Sequence, residues 1–299
     1  MGNDRRFCLF DQGLLDQIED RKGVLSNVHT FSLSNHKKRC LNLEKELARH
    51  SVNLELEGFN SQKSKTKERR RSEKNLKHAL SWAREELNKN PELSLNFLEN
   101  VGSLIDPLTN KDGFRSYNVR VTGSLIPQTS LEKLPRELNT FLIRNKYLRT
   151  PFEKAVHAHF HIARIHPFGD GNGRTARLVQ DLILGKNGYC PIIIYNKERE
   201  EYISLIRKAE LSRHIAEGNL STEEFKKLQG VKERLLVTPQ GYEREVYIKE
   251  FLTVSRKLMT PEQAEFYNFL ALKEKNVLDA ELRKVYENGM SNRNLRKIN

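Results

Sequence analysis

The sequence contains little cysteine and no long apolar run. Its three cysteines, Cys8, Cys40 and Cys190, are scattered over 299 residues without a Cys-x-x-Cys pair. A disulfide framework and a cysteine-bound zinc site are therefore not expected, and a reducing compartment is the default. No stretch approaches the roughly 18 apolar residues of a membrane-spanning helix, and no apolar run of signal-peptide length begins the chain. We expect a cytoplasmic protein without a membrane segment, and delivery into another cell stays open.

Negative charge is scarce as well. The chain has 52 Lys and Arg residues against 39 Asp and Glu residues, which gives a formal net charge of +13. With 37% apolar residues it can still bury a core, and its length suits one large domain or one domain with appendages. Such a basic balance is typical of a well-solvated helical surface. It also suits an anionic partner such as nucleic acid, a nucleotide or an acidic protein.

Apolar residues recur at helical spacing along most of the chain. This pattern predicts an all-α fold with helices over residues 36–57, 76–87, 93–105, 131–143, 151–165, 174–186 and 197–210. Residues 61–75 are basic and lack apolar side chains, as in a linker or an exposed helix start. Residues 114–127 alternate instead, which predicts a short β-hairpin. We divide the chain into an N-terminal helical extension (1–75), a central domain (76–220) and a C-terminal helical extension (221–299).

The segment 166–174 reads His-Pro-Phe-Gly-Asp-Gly-Asn-Gly-Arg and lies between two predicted helices. Gly171 and Gly173 allow the backbone to approach a ligand closely, and free N–H groups at the start of a helix bind anions. Arg174, in the first turn of that helix, opposes the helix dipole unless an anion is bound there. Arg177 lies three residues further on, on an adjacent part of the same face. This pattern predicts a phosphate site.

Two further side chains add chemistry to the phosphate site. Asp170 supplies a carboxylate, and Mg²⁺ is commonly held by one or two carboxylates together with substrate phosphates and water. His166 can accept a proton from an attacking hydroxyl near neutral pH. A base, a metal-binding carboxylate and an anion site within one loop predict nucleotidyl or phosphoryl transfer.

These residues carry a resemblance to a known family. Residues 166–174 are similar to the complete signature of the Fic domain, His-Pro-Phe-x-Asp/Glu-Gly-Asn-Gly-Arg, and the similarity extends over roughly residues 90–220. The resemblance implies an all-helical core with a β-hairpin flap. It also implies that AMP is transferred from ATP to a hydroxyl group of a protein, with release of pyrophosphate.

The resemblance implies a role for individual residues. His166 would deprotonate the target Ser, Thr or Tyr, and Asp170 would hold Mg²⁺. ATP and its phosphates would be bound by Phe168, Gly171, Asn172, Gly173, Arg174, Arg177 and Tyr202. The flap would align the target segment, main chain to main chain, through Tyr117, Asn118, Val119, Arg120 and Val121. The expected partner is a target protein that presents a hydroxyl side chain, and a homo-oligomer stays open.

Many members of this family carry an inhibitory helix with the pattern Ser/Thr-x-x-x-Glu-Gly/Asn. Its glutamate pairs with the second arginine of the signature region, here Arg177, and blocks productive placement of the γ-phosphate. The resemblance places such a helix at about residues 40–58 of this chain. We therefore expect an enzyme that is held inactive by one of its own glutamates.

Two registers compete for the inhibitory glutamate. Ser51 and Glu55 match the first part of the pattern, but Leu56 stands where Gly or Asn is expected. Glu57 is followed by the expected glycine, but Asn53 stands where Ser or Thr is expected. Residues two apart on a helix face in different directions, so only one of the two glutamates can serve. Glu55 is favoured because Ser51 supplies the anchoring hydroxyl.

Several alternatives stay open at this point. The same fold can remove AMP or transfer another phosphate-containing group, although Gly173 favours AMP. A metal hydrolase could use His157 and His161, which share a helix face, but Ala158 stands where a His-Glu-x-x-His site has its glutamate. A basic nucleic-acid-binding protein could use residues 63–74. No aromatic residue interleaves with these charges, so base stacking is not expected and nucleic acid is the weaker partner.

Overall fold

The computed structural model describes residues 12–29, 46–55, 62–121, 124, 128–218 and 259–295, together with positions 226, 230, 234, 237, 246 and 247. Within these ranges the chain is mainly helical and contains no β-strand, which confirms the all-α prediction. The helices are α1 (Gln12–His29), α2 (46–55), α3 (Gln62–Lys89), α4 (Leu95–Ile105), α5 (Leu134–Lys146), α6 (Pro151–Ile165), α7 (Asn172–Lys186), α8 (Arg199–Gly218) and α9 (Pro261–Leu295). Short 3-10 helices at Leu131–Lys133 and Asn196–Glu198 precede α5 and α8. None of the described helices is both long and apolar enough to cross a membrane.

Helices α6 and α7 form the centre of the molecule and pack extensively against each other. The start of α6 is set by a capping box: Thr150 Oγ1 accepts from the Glu153 N–H at 3.1 Å, and Glu153 Oε2 accepts from the Thr150 N–H at 3.0 Å. Pro151 occupies the first turn, where its missing N–H costs nothing. The six-residue connection between α6 and α7 is therefore held between two well-defined helix ends.

Two apolar clusters enclose this central pair. The first joins α6 to α1, α8 and α9, and it includes Ile18, Phe152, Phe160, Phe266 and Tyr267. The second joins α6 and α7 to α3, α4 and α5, and it includes Leu80, Phe97, Leu98, Phe141 and Ile162. Burying each of these side chains contributes roughly 1.5–3 kcal/mol. Because α6 contributes to both clusters, its C-terminal end and the loop that follows are fixed from two sides.

The basic segment that was predicted as a linker or a helix start is the N-terminal half of α3. This helix runs without a break from Gln62 to Lys89, across the predicted boundary between residues 75 and 76. The segment contains no Pro or Gly, and its Lys, Glu and Arg residues are good helix formers. Arg69 pairs with Glu73 at 3.0 Å one turn away. The linker interpretation is therefore wrong, and the helical one is confirmed.

The predicted hairpin over residues 114–127 is not seen as paired strands in the part of the chain that the structure describes. Residues 117–121 follow an irregular path, and positions 122, 123 and 125–127 lie outside the described residues. A two-stranded hairpin without a third strand is marginal in water. Its main-chain groups are instead partly held by side chains, since Arg115 binds the carbonyl oxygens of Tyr117 and Thr129.

Candidate active site

The loop between α6 and α7 bends sharply at both ends. His166 has a φ of 54° and closes α6, and Gly171 has a φ of 74° and opens α7. A side chain at position 171 would lie 2.8 Å from Ile105, so glycine is required there for space as well as for conformation. The Asn172 side chain bridges the loop, because its Oδ1 accepts from the Phe168 N–H at 2.9 Å and its Nδ2 donates to the Phe168 carbonyl at 3.0 Å.

Phe168 anchors the loop and does not present its side chain to a ligand. The ring is fully buried and packs against Phe114, with ring centroids 5.4 Å apart. A Cβ on Gly102 would lie 2.1 Å from the Phe168 ring, so this glycine of α4 is what admits the ring. The ring is therefore not exposed to a ligand, and the role of Phe168 in ATP binding stays a prediction. The Asn172 side chain is likewise buried, and it serves the loop conformation.

His166 is held in one tautomer. Its Nδ1 lies 3.1 Å from the carbonyl oxygen of Ala163, and because a carbonyl can only accept, Nδ1 carries the proton and Nε2 has a free lone pair. Burial lowers the pKa of His166, and the nearby Arg115 lowers it further, against the raising effects of the Ala163 carbonyl and Glu55. The neutral form of the imidazole therefore predominates at neutral pH, with Nε2 able to accept a proton.

Arg174 and Arg177 bind the carboxylate of Glu55 from α2. Arg174 Nε donates to Glu55 Oε2 at 2.7 Å, and Arg177 Nη2 donates to Glu55 Oε1 at 3.0 Å. Arg177 also binds Ser51, with Nε donating to the hydroxyl at 2.8 Å and Nη2 to the main-chain carbonyl at 2.9 Å. A Cβ on Gly173 would lie 2.8 Å from Glu55 Oε1. A carboxylate thus lies over the first turn of α7, where the sequence predicts a phosphate.

The structure brings Ser51 and Glu55 to the arginines, whereas Glu57 lies outside the described residues. Of the two contacts to Ser51, one involves its hydroxyl and the other its main-chain carbonyl. Arg199, at the start of α8, adds a hydrogen bond from Nε to the Leu54 carbonyl at 2.8 Å. The described end of α2 is therefore attached to the site through both side-chain and main-chain contacts.

Tyr202 supports Arg177 from behind. The phenol lies 3.5 Å from Arg177 Nη1 and 2.8 Å from His159 Nε2, and His159 Nδ1 lies 2.7 Å from Gln180 Oε1. Because the amide oxygen only accepts, Nδ1 of His159 donates to it, Nε2 accepts from the phenol, and the phenol oxygen is left to accept from Arg177. Burial lowers the pKa of His159 to about 3, so this histidine stays neutral.

Asp170 and Asp106 place two carboxyl groups beside the anion site. They share a hydrogen bond, and Asp170 Oδ2 also pairs with Arg174 Nη2 at 3.0 Å. Burial raises the pKa of Asp170 despite the opposing effect of Arg174. No group of three or more His, Cys, Asp or Glu residues that could hold a metal occurs among the described residues. One or two carboxylates beside a phosphate site are nevertheless the donors that Mg²⁺ takes, so these residues fit that ion.

A cavity of about 560 Å³ connects these groups. Loop 166–174 forms one wall, α8 forms another through Tyr202, Ile203 and Ile206, and the flap contributes Val121. Tyr117 of the flap is 51% exposed, and Asn118 and Arg120 are exposed as well. Cavities of this volume hold ligands of nucleotide size. The predicted phosphate-binding residues other than Phe168 therefore line one space together with a single predicted flap residue, Val121.

His157 and His161 take no part in this cavity. Both rings are buried against Phe141, at centroid distances of 5.7 Å and 5.9 Å, and burial lowers the pKa of each well below its ordinary value. Arg144 and Arg164 lie close enough to lower these pKa values further. The positive charges of these arginines disfavour a metal cation at the two histidines, so the structure does not support the metal-hydrolase alternative.

Three residues of the site were missed by the sequence analysis. Asn110 binds the backbone of the loop, and Asp106 reaches Arg174 at 3.7 Å. Arg115 donates from Nε to the His166 carbonyl at 2.8 Å, and its N–H donates to the Pro167 carbonyl at 2.9 Å. The only signal in the sequence is a cluster of turn residues after α4, which predicts a loop but not its contacts.

Fold and site together define an all-helical protein whose central helix pair is joined by a Gly-rich loop, beside two arginines that bind a carboxylate. Residues 92–184 match the model of the Fic/DOC family, and this part of the chain is a Fic domain. The protein adenylyltransferase Fic of Nematostella vectensis is 36% identical over 100 residues, which are 32% of this chain and 23% of that protein. The corresponding protein of Culex quinquefasciatus is 32% identical over 135 residues, which are 41% and 26% of the two chains. The chain thus spans about a quarter of the length of these curated relatives.

Solved structures extend the similarity beyond the domain. A Fic-domain-containing signaling protein from Bacteroides thetaiotaomicron superposes with a TM-score of 0.61 at 18% identity, over 91% of this chain and 97% of that one. A fragment of Fic-1 from Caenorhabditis elegans superposes with a TM-score of 0.57 at 17% identity, over 93% of this chain and 73% of that one. At these identities the similarity shows the fold alone. It includes the helices on either side of the matched domain.

Proposed function

We propose that this protein transfers AMP from ATP to a Ser, Thr or Tyr hydroxyl of a target protein and that Glu55 holds it inactive. The observation that carries the proposal is the position of the Glu55 carboxylate, bound by Arg174 and Arg177 over Gly173. A carboxylate of the protein itself thus lies where the nucleotide phosphates are expected. The names of the relatives, all adenylyltransferases, support the choice of AMP as the transferred group.

The proton in this reaction moves to His166. The target hydroxyl oxygen forms a bond to the α-phosphorus of ATP, the bond from that phosphorus to the bridging oxygen breaks, and pyrophosphate leaves. The hydroxyl proton passes to Nε2, the nitrogen that the Ala163 contact leaves free. The lowered pKa of His166 keeps the ring neutral before the transfer. Asp170, with Asp106 beside it, would hold Mg²⁺, which neutralises phosphate charge when bound.

Arg174, Arg177 and the N–H groups at the start of α7 bind the phosphates in this proposal. Gly173 has no side chain, so phosphate oxygens can approach as closely as the Glu55 carboxylate does. Tyr202 and Ser51 then act through Arg177, the first by holding its guanidinium and the second by binding it while α2 is in place. While Glu55 occupies both arginines, the same arginines cannot bind the γ-phosphate.

The target binds at the flap in this proposal. Tyr117, Asn118 and Arg120 are exposed, and the main chain between residues 117 and 121 forms no strand pairing in the described structure. Such a segment can pair with an extended peptide and bring its hydroxyl side chain towards His166.

The test compares two labelled forms of ATP. A Glu55→Gly variant incubated with Mg²⁺ and a protein mixture should incorporate label from the α-phosphate and none from the γ-phosphate. The further change His166→Ala should remove incorporation. Label from the γ-phosphate would indicate phosphoryl transfer, and α-label that survives His166→Ala would contradict the role of the histidine.

A further inference from the structure

Asn110 makes an unusually complete set of contacts to the loop between α6 and α7. Its Oδ1 accepts from the N–H groups of Gly169 at 3.1 Å and Asp170 at 3.3 Å. Its Nδ2 donates to the carbonyls of Asp170 at 2.9 Å and Gly102 at 3.0 Å. The side chain is 2% exposed, and these four contacts use all of its donors and acceptors. One side chain thus satisfies both main-chain polar groups of Asp170.

The main chain of Asn110 is fixed just as firmly. Its N–H donates to the Asp106 carbonyl at 2.9 Å, and its carbonyl accepts from the Ser103 hydroxyl at 2.7 Å and from the Gly113 N–H at 3.0 Å. The residue is therefore attached to α4 and to the turn that follows it. Asn110 therefore connects the main chain of Asp170 to α4, which packs in the second apolar cluster.

We propose that Asn110 is the positioning residue that aims the Asp170 carboxylate and the start of α7 at the nucleotide phosphates. This inference rests on the proposed function. Asn110 is buried behind the loop, and its side chain contacts only the main chain of the loop and of α4. Without the side chain, two N–H groups and one carbonyl lose their partners, and the Gly169 and Asp170 peptides rotate towards other partners. A shift of about 1 Å in a catalytic group can lower a rate about a hundredfold.

The experiment uses the full chain with Glu55→Gly as the parent. Asn110→Ala removes all four side-chain contacts, and the nearly isosteric Asn110→Asp removes the two donated ones. Ser103→Ala is the matched control, because it removes one hydrogen bond from the same turn and leaves the loop contacts intact. Three quantities are measured: the maximal rate of labelling from α-labelled ATP, the ATP concentration for half-maximal rate, and the thermal unfolding transition.

A positioning role predicts that both Asn110 variants lose about a hundredfold in maximal rate. The ATP concentration for half-maximal rate should change less than threefold, because Arg174 and Arg177 are untouched. Ser103→Ala should stay within threefold of the parent in both quantities. Both Asn110 variants should keep a cooperative unfolding transition.

Either of two results would overturn the inference. Asn110 variants that label within threefold of the parent show that the residue is not needed for the geometry. Loss of the unfolding transition in both variants shows that it serves the fold. If the parent itself takes up no label, the proposed function fails, and hydrogen exchange then decides the positioning role. The amides of Gly169 and Asp170 should exchange at least tenfold faster in Asn110→Ala, which removes their acceptor, and unchanged exchange refutes the inference.

Discussion

The contact between Glu55 and the two arginines predicts how strongly a conservative substitution activates the protein. Glu55→Gln keeps the shape of the side chain and removes the charge that pairs with Arg174 at 2.7 Å and Arg177 at 3.0 Å. A hydrogen bond to a charged group contributes about 1.5–3 kcal/mol. Two such bonds would sum to about 3–6 kcal/mol, but the Glu55 side chain is 30% exposed, so screening lowers the loss for both pairs together to about 2–3 kcal/mol. The population with the arginines free then rises roughly 30- to 150-fold.

The assay is incorporation of α-labelled ATP into the chain itself and into a protein mixture. Wild type should label least, Glu55→Gln should label roughly 30- to 150-fold more, and Glu55→Gly should label at least as strongly. Two controls separate this effect from charge removal in general. Glu57→Gln tests the competing register. Glu137→Gln breaks an ion pair outside the cavity, in which Glu137 Oε2 lies 3.2 Å from Arg164 Nη2.

Neither control should raise labelling. The reasoning is refuted if Glu55→Gln labels no more than wild type. It is also refuted if Glu57→Gln activates as strongly, since the inhibitory contact would then involve a residue that the described geometry does not place at the arginines.

Three further outcomes follow from the site. Burial lowers the pKa of His166 below its ordinary value of 6.5, so the imidazole stays neutral until the pH falls below that value. In the Glu55→Gly variant, the labelling rate should therefore fall at acid pH with a midpoint below 6.5. A midpoint above 6.5 in the rate–pH profile contradicts this. Burial raises the folded-state pKa of Glu210 from 4.5 to about 7, so stability is lost as pH rises through this interval. Glu210→Gln should therefore be more stable than wild type by roughly 3 kcal/mol at pH 8 and by little at pH 4 in urea unfolding, and equal differences at both pH values would count against it. Gly173→Ala places a Cβ 3.0 Å from Arg177 Nη1, so it should abolish labelling even with Glu55→Gly, and full activity would show that phosphates do not approach this position.

The sequence predicted the helices best where strong start signals were present. Thr150, Pro151 and Glu153 determine the start of α6 at the predicted residue, and this requires only local chemistry. The basic half of α3 was ambiguous because its apolar anchors begin at Leu76, and from residue 66, where the structure describes its side chains, only Ser72 is buried before Leu76. Helix propensity alone could not decide between an exposed helix and a linker. The hairpin prediction rested on alternation, and alternation does not supply the neighbouring strand that pairing needs.

Residues of the candidate site divide in the same way. His166, Asp170, Gly173 and Arg174 were predicted because they are close in sequence and their chemistry is readable from spacing. The burial of the Phe168 ring was not foreseen, because a motif does not reveal which of its side chains point inward. Only packing against α4 shows that this ring anchors the loop.

The sequence by itself predicted an all-helical fold and a Gly-rich loop between two helices, with a histidine, a carboxylate and an expected anion site. These features depend on neighbours within one or two helical turns. The tertiary structure decided which distant residues complete the loop: Glu55 lies 119 residues from Arg174 and Asn110 lies 60 residues from Asp170. Such contacts are set by how helices pack, because side chains on separate elements meet only after the apolar clusters have fixed the distance between their backbones.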